Sequence, residues 1–214
     1  MVDWDVYLVT QESLSAGRST RAVVEAAVEG GVGVVQLREK GRPARERYEL
    51  GRDLRELTRA AGVTFVVNDR VDIAQAVDAD GVHLGDSDLP VPVARELLGP
   101  DAVIGRSVAT VADAEAAAAA GADYLGVGAV YRTGSKADLD DDEHGVGPSR
   151  VAAIADAVDL PLVGIGGITP ANAAEVAAAG ADGVAVISAI TAADDPAAAT
   201  RALREAVERG HTGA

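Results

Sequence analysis

Ala120-Gly121-Ala122-Asp123-Tyr124-Leu125 is matched later in the chain by Ala179-Gly180-Ala181-Asp182-Gly183-Val184, with Asp80-Gly81-Val82 as a shorter echo. Each copy sets glycine at or near the end of a helical stretch, where a left-handed cap closes the helix, and then opens an apolar run. A helix that stops on glycine and feeds straight into a strand is one unit of an alternating β/α chain.

The alternation continues on both sides of these copies. Short runs rich in Val and Ile at 6–10, 32–37, 64–68, 81–84, 103–107, 124–127, 162–165 and 183–187 predict strands. They are largely continuous rather than alternating, as parallel strands buried on both faces are. Between them, 20–29, 44–61, 71–77, 91–98, 111–120, 149–158, 170–179 and 196–208 carry Ala with Arg and Glu at helical spacing, which predicts amphipathic helices. Eight units with no charge block or Pro-rich linker between them predict the α/β class, as a single compact (β/α)8 TIM barrel over 1–214 with a short flexible tail from about 210. A doubly wound open sheet is the alternative, and the regularity of the units favours closure. Ala-rich outer helices allow close packing, which offsets an aromatic content of only 3%.

Composition narrows the partners. The net charge of −15 argues against nucleic acid and against anionic membranes. No charge-free run approaches the roughly 20 residues needed to cross a bilayer. The start, Met1-Val2-Asp3-Trp4-Asp5, lacks the basic and apolar regions of a signal peptide, so a cytoplasmic location is expected. Absence of cysteine excludes a disulfide, a thiolate nucleophile and Cys-ligated zinc. An acid-rich, lysine-poor chain with an ordinary core predicts a salt-loving host, where counterions screen self-repulsion. The oligomeric state is left open, a homo-oligomer included.

In a barrel the site forms where strands end. The second strand ends in Gln36-Leu37-Arg38-Glu39-Lys40. Alternation puts Gln36, Arg38 and Lys40 on one side, an amide, a guanidinium and an ammonium suited to a polyphosphate. A solvated basic strand end balanced by Glu39 is the plainer alternative. Only two of the 19 basic residues are lysines, Lys40 here and Lys136 in the loop after the sixth strand. Asp69 and Asp88, from neighbouring strand ends, face these cations and could hold a divalent metal such as Mg²⁺. Both also suit helix caps or, for Asp69, a pairing with Arg70. Gly166-Gly167 before Ile168-Thr169-Pro170 predicts an anion-binding loop entering a helix, with Ile187-Ser188 donating from the other side. His83 fits either an acid–base group or a hydrogen-bonded structural residue, and the acidic run at 138–143 reads as a solvated flap. No Ser-His-Asp order, Walker loop or zinc motif is present.

Together Gln36–Lys40, Asn68-Asp69, Gly81-Val82-His83-Leu84-Gly85 with Asp88, Thr133–Lys136 and Gly164–Thr169 resemble the thiamine-phosphate synthase family of compact (β/α)8 barrels, over nearly the whole chain. The resemblance implies a transferase that joins a hydroxymethylpyrimidine diphosphate to a thiazole phosphate and releases pyrophosphate. It implies that the segment Gln36, Leu37, Arg38, Glu39 and Lys40, with Asn68, Ser107 and Lys136, holds the pyrimidine diphosphate. Thr133, Gly134, Ser135, Gly167, Ile187 and Ser188 would hold the thiazole phosphate, and Asp69 and Asp88 would hold Mg²⁺. Arg38, Lys40, Lys136 and Ser107 would carry the catalytic roles. Asp86 stands where the family usually has Gln, and Ala129-Val130-Tyr131-Arg132 replaces its Pro-rich turn. Rival readings are a thiazole tautomerase relative, a phosphosugar isomerase barrel and a precursor-binding barrel without turnover. Retention of the whole charged set favours the synthase.

Overall fold

The computed structural model describes residues 1–133 and 145–213. Eight parallel strands follow one another around a closed barrel: β1 (Val6–Val9), β2 (Val34–Leu37), β3 (Thr64–Asn68), β4 (Gly81–Leu84), β5 (Val103–Val108), β6 (Tyr124–Gly128), β7 (Leu162–Ile165) and β8 (Gly183–Val186). Closure is direct, because Leu8 lies opposite Val35 on one side and Val186 on the other. That excludes the open sheet.

Outside the barrel lie α1 (Thr20–Glu29), α2 (Ala44–Ala61), α3 (Val71–Ala76), α4 (Val91–Leu98), α5 (Val111–Ala119), α6 (Gly147–Ala155) and α7 (Ala173–Ala178). A single extra turn, α8 (Ser188–Thr191), precedes the final α9 (Pro196–Thr212), and a 3-10 turn at Glu12–Leu14 follows β1. No helix among the described residues is long and apolar enough to cross a membrane.

Strand alternation divides the buried residues between two cores. Val6, Leu8, Val35, Leu37, Phe65 and Val67 face the helices. Tyr7, Val9, Val34, Val66, Tyr124 and Val163 fill the barrel interior. Each fully buried side chain of this size stabilises by about 1.5–3 kcal/mol relative to exposure. Trp4 packs beneath the inner core, its ring 4.5 Å from that of Tyr124. The interior is therefore filled at the N-terminal end and leaves its cavity at the other.

The repeated sequence has a structural counterpart. Three residues before each even-numbered strand the backbone turns left-handed, at Gly31 (φ +88°), Asp78 (+54°), Gly121 (+86°) and Gly180 (+96°). One residue before β4, β6 and β8, the carboxylates of Asp80, Asp123 and Asp182 accept the N–H groups of Phe65, Ile104 and Leu162 at 2.8, 2.7 and 2.8 Å. Their own N–H groups donate back to the same three residues' carbonyls at 2.9, 2.8 and 2.8 Å. Each Asp thus adds a side-chain rung below a strand pair and pins its register. Before β2 the same place is Gly33, where a Cβ would lie 2.1 Å from the Asp3 carbonyl oxygen.

The chain ends differently from expectation. No loose tail begins near 210, since α9 continues to Thr212 and Gly210 is buried. A Cβ at Gly210 would lie 2.4 Å from the Ala174 carbonyl oxygen, so glycine lets α9 settle against α7. His211 Nε2 lies 2.9 Å from the Ala181 carbonyl oxygen and ties down the last turn.

Candidate active site

The C-terminal strand ends surround a cavity of about 400 Å³, lined among others by Gln36, Arg38, Lys40, Asn68, Asp69, Asp88 and Ser107. Alternation along β2 and beyond brings Gln36, Arg38 and Lys40 to one wall, as their spacing requires. Arg38 is buried, and its guanidinium donates to Gln11 Oε1 at 2.7 Å. Its backbone N–H donates to Thr10 Oγ1 at 3.2 Å, which fixes the end of the strand.

Leu37 and Glu39 turn the other way, as alternation along the strand requires, so within this segment Gln36, Arg38 and Lys40 line the cavity. Leu37 belongs to the layer between strands and helices. The Glu39 carboxylate accepts from the Glu12 N–H, 3.1 Å from each oxygen, and from Thr20 Oγ1 at 2.8 Å. Glu39 thereby anchors the 3-10 turn whose preceding residue, Gln11, holds Arg38. Gln11 and Thr10 were not singled out in the sequence, since their part rests on a fold-back that no local pattern shows.

Asp69 sits in a tight turn in which the Arg70 N–H donates to the Asn68 carbonyl at 2.7 Å, with φ of +63° at Asp69 itself. A left-handed backbone is unusual for a non-glycine residue, and Asp tolerates it better than most. The turn sends its carboxylate toward Asp88 and leaves Oδ2 3.4 Å from Lys40 Nζ. Burial, then the hydrogen bond shared with Asp88, pushes Asp69 above the usual carboxylate range, and Lys40 opposes the shift. Asp88 also accepts the Gly85 N–H at 2.6 Å, closing the loop after β4. Asp86 instead pairs with Arg106 at 2.5 Å.

Two neighbouring carboxylates at a cavity mouth are hard oxygen donors, which suits Mg²⁺ with phosphate and water completing its shell. No group of three or more acidic, His or Cys residues among the described residues could enclose a metal alone. A bound anion would have to supply the remaining ligands. Asn68 supports such an anion: its Nδ2 is buried and has no hydrogen-bond partner among the described residues.

Across the barrel floor, His83 Nδ1 lies 2.9 Å from the Tyr124 hydroxyl and Nε2 lies 2.9 Å from Ser107 Oγ. The Tyr124 hydroxyl is 2.8 Å from that of Tyr7, to which Gln36 Nε2 donates at 2.7 Å. His83 is thus hydrogen-bonded through both ring nitrogens and also lines the cavity. Tyr7 and Tyr124 were missed as site residues, although their inward parity in β1 and β6 was a usable signal.

A second cavity of about 290 Å³ is lined by Thr133, Gly167, Ile187 and Ser188, and both cavities touch Ile165, Gly166 and Ala185. It lies between the loops after β7 and β8 and beside the extra turn α8, where barrels of this kind often hold phosphate. The helix expected to start at Pro170 begins only at Ala173, because Asn172 Oδ1 takes the Thr169 N–H at 2.8 Å and folds this stretch into a turn. Gly134, Ser135 and Lys136, with the acidic run at 138–143, lie outside the described residues.

A closed eight-stranded barrel whose mouth joins cations, neighbouring carboxylates and a buried amide nitrogen without a partner among the described residues has the form of a (β/α)8 enzyme. Residues 6–190 match the family model described as thiamine monophosphate synthase. Thiamine-phosphate synthase of Haloarcula marismortui is 74% identical over 98% of this chain and all of its own, and that of Moorella thermoacetica is 56% identical over 98% of each. The solved thiamine phosphate pyrophosphorylase from Pyrococcus furiosus superposes with a TM-score of 0.89 at 42% identity, covering 98% of both chains. The chain belongs to the thiamine monophosphate synthase family, and it is a transferase with the activity of that family.

Proposed function

We propose that this chain joins a 4-aminopyrimidine methyl diphosphate to a thiazole phosphate, forming thiamine phosphate and releasing pyrophosphate. The observation that carries this reading is that Gln36, Arg38, Lys40 and Asn68, whose Nδ2 has no partner among the described residues, line one cavity with Asp69 and Asp88. Cations and a buried donor on one side suit the diphosphate, and the neighbouring cavity at Gly167, Ile187 and Ser188 suits the phosphate of the second substrate.

The pyrimidine amino group pushes electrons toward its methylene, so the C–O bond to the diphosphate breaks ahead of attack. Negative charge then gathers on the departing pyrophosphate, where Arg38 and Lys40 are already oriented and cost little reorganisation. Mg²⁺ held by Asp69 and Asp88 would neutralise part of that charge. The thiazole nitrogen forms the new C–N bond, its ring oriented by the phosphate in the second cavity. No protein nucleophile is needed. Lys136 keeps its place in this reading as a further contact to the diphosphate. Whether the thiazole substrate also carries a carboxylate is decided by offering both forms. A cytoplasmic setting rich in salt completes the proposal, and the acid excess supports it.

The test is to supply the purified chain with both substrates and Mg²⁺ at low and high KCl and to measure thiamine phosphate and pyrophosphate. Both products should form together and vanish with EDTA. In Asp69→Asn, the Mg²⁺ concentration needed for half-maximal turnover should rise about ten-fold or more, as loss of a charged ligand implies. An unchanged Mg²⁺ titration would remove Asp69 from the metal site. A folded chain that binds thiazole phosphate but yields no product would overturn the synthase reading.

A further inference from the structure

Five polar side chains cross the barrel floor in one unbroken line, from Gln36 through Tyr7, Tyr124 and His83 to Ser107, with links of 2.7, 2.8, 2.9 and 2.9 Å. The fold makes room for this line. A Cβ at Gly105 would lie 2.4 Å from the Tyr124 hydroxyl oxygen and 2.1 Å from its ring, and one at Gly126 would lie 3.0 Å from the His83 ring. Gly105 and Gly126 stand on the strands that carry Ser107 and Tyr124, so the relay and its clearance come from the same elements.

Proton counting gives the line a direction. The Gln36 amide nitrogen can only donate, so Tyr7 accepts from it and must spend its single proton on Tyr124. Tyr124 in turn donates to His83 Nδ1. A neutral imidazole that accepts at Nδ1 carries its proton on Nε2 and donates it to Ser107 Oγ. The Ser107 proton is then left for the cavity. Burial pushes both phenols well above the ordinary tyrosine range, so each hydroxyl retains the one proton that this count requires.

We propose that this one-way relay makes the Ser107 hydroxyl a hydrogen-bond donor selecting a heteroaromatic substrate with an acceptor nitrogen in its ring, and that His83, Tyr124 and Tyr7 are positioning residues for it. This deepens the synthase reading and rests on it for the identity of the substrate, an aminopyrimidine. A ring presenting N–H at that point would set donor against donor, leaving both groups unpaired in a part-buried site.

The direction can be read without any turnover. In ligand-free protein labelled with ¹⁵N-histidine, His83 should show the tautomer protonated at Nε2, assigned by its loss in a His83→Gln variant. A proton on Nδ1 would mean that the Gln36 amide is turned over and that Ser107 spends its proton on His83 Nε2, presenting only lone pairs to the cavity, which overturns the proposal. Tyr124→Phe should abolish the single tautomer and lower kcat/KM for the pyrimidine diphosphate about ten-fold or more, leaving KM for thiazole phosphate unchanged. A variant keeping both the tautomer and kcat/KM would show the relay to be idle. Should Tyr124→Phe fail to fold, Tyr7→Phe breaks the same line one link earlier.

Selection is measured with analogues of the pyrimidine diphosphate in which either ring nitrogen is replaced by C–H. One of them should bind wild type about ten- to a hundred-fold more weakly than the parent, and Ser107→Ala should bind both alike. Equal binding by wild type sinks the selective role. The predicted tautomer in a chain that makes no thiamine phosphate would sink the synthase reading and leave the relay standing.

Discussion

Asn68 keeps a buried amide nitrogen without a partner among the described residues, a cost the folded chain bears before any substrate arrives. A buried donor left unmade is destabilising by roughly 1–3 kcal/mol, so removing it need not harm the fold. Asn68→Leu, close in shape, should leave the melting temperature unchanged or raise it, while KM for the pyrimidine diphosphate rises about ten- to a hundred-fold. Thermal melts and initial rates decide this, and a destabilised variant with normal KM would assign Asn68 to structure alone. The contrast with Glu39 is instructive. Asn68 closes β3 and Glu39 lies just beyond β2, and both are buried, but Glu39 is fully engaged with Glu12 and Thr20. Sequence parity separates Glu39 from Arg38 and Lys40. It cannot show that Glu39 supports Arg38 through Gln11, because that link depends on how the loop after β1 folds back.

At the level of elements, the Asp residues before β4, β6 and β8 hold neighbouring strands in register. Asp182→Ala should therefore lower unfolding free energy by about 1 kcal/mol, and the exposed Asp156→Ala should not. Urea unfolding of the two variants separates a rung from a surface charge. A second contact joins α9 to the N-terminal segment, with Arg204 paired to Asp3 at 2.8 Å and to Asp5 at 3.0 Å. Burial raises the Asp5 pKa above its ordinary 3.8, and Arg204 opposes the rise. A raised carboxylate contributes stability that is fully present below the unfolded pKa and lost as pH climbs through the folded one. Arg204→Ala removes the opposing charge, so its destabilisation should be larger at neutral pH than in acid. Screening of these partly exposed groups limits the difference to about 1 kcal/mol. Equal losses at both pH values would exclude the electrostatic cause. The elements themselves were largely legible, since continuous Val-rich runs mark buried strands without regard to context. Ends were less so: Ala-rich periodicity runs on past the real stop of α6 at Ala155 and does not reveal the turn that delays α7 to Ala173. The four-residue α8 is too short to show a period, and the relay joins Tyr7 to Tyr124 across 117 positions.

Over the whole molecule, a net charge of −15 sets self-repulsion against the arginine–carboxylate pairs that cover the surface. The two respond to salt in opposite directions. Screening weakens each exposed pair, but such pairs contribute only about 0–1 kcal/mol each. It also weakens a repulsion felt among all the charges at once, with a screening length that falls from about 10 Å at 0.1 M to about 3 Å at 1 M. With so large an excess of one sign, relief of repulsion should win. The melting temperature should climb by several degrees as KCl rises from about 0.1 to about 2 M, equivalent to about 1–3 kcal/mol for a chain of this size. Salt also strengthens apolar burial, so a charge-specific control is needed. Asp53, Glu115 and Glu205 are exposed on α2, α5 and α9, and Asp101 is exposed in the turn before β5. Changing all four to Asn or Gln removes charge while leaving the core intact, and this variant should melt higher at low salt and gain less from KCl. If instead the wild-type chain loses stability as KCl is added, the local pairs outweigh the global repulsion. If the variant gains as much as wild type, the salt effect is one of burial, and the acid excess has no bearing on stability.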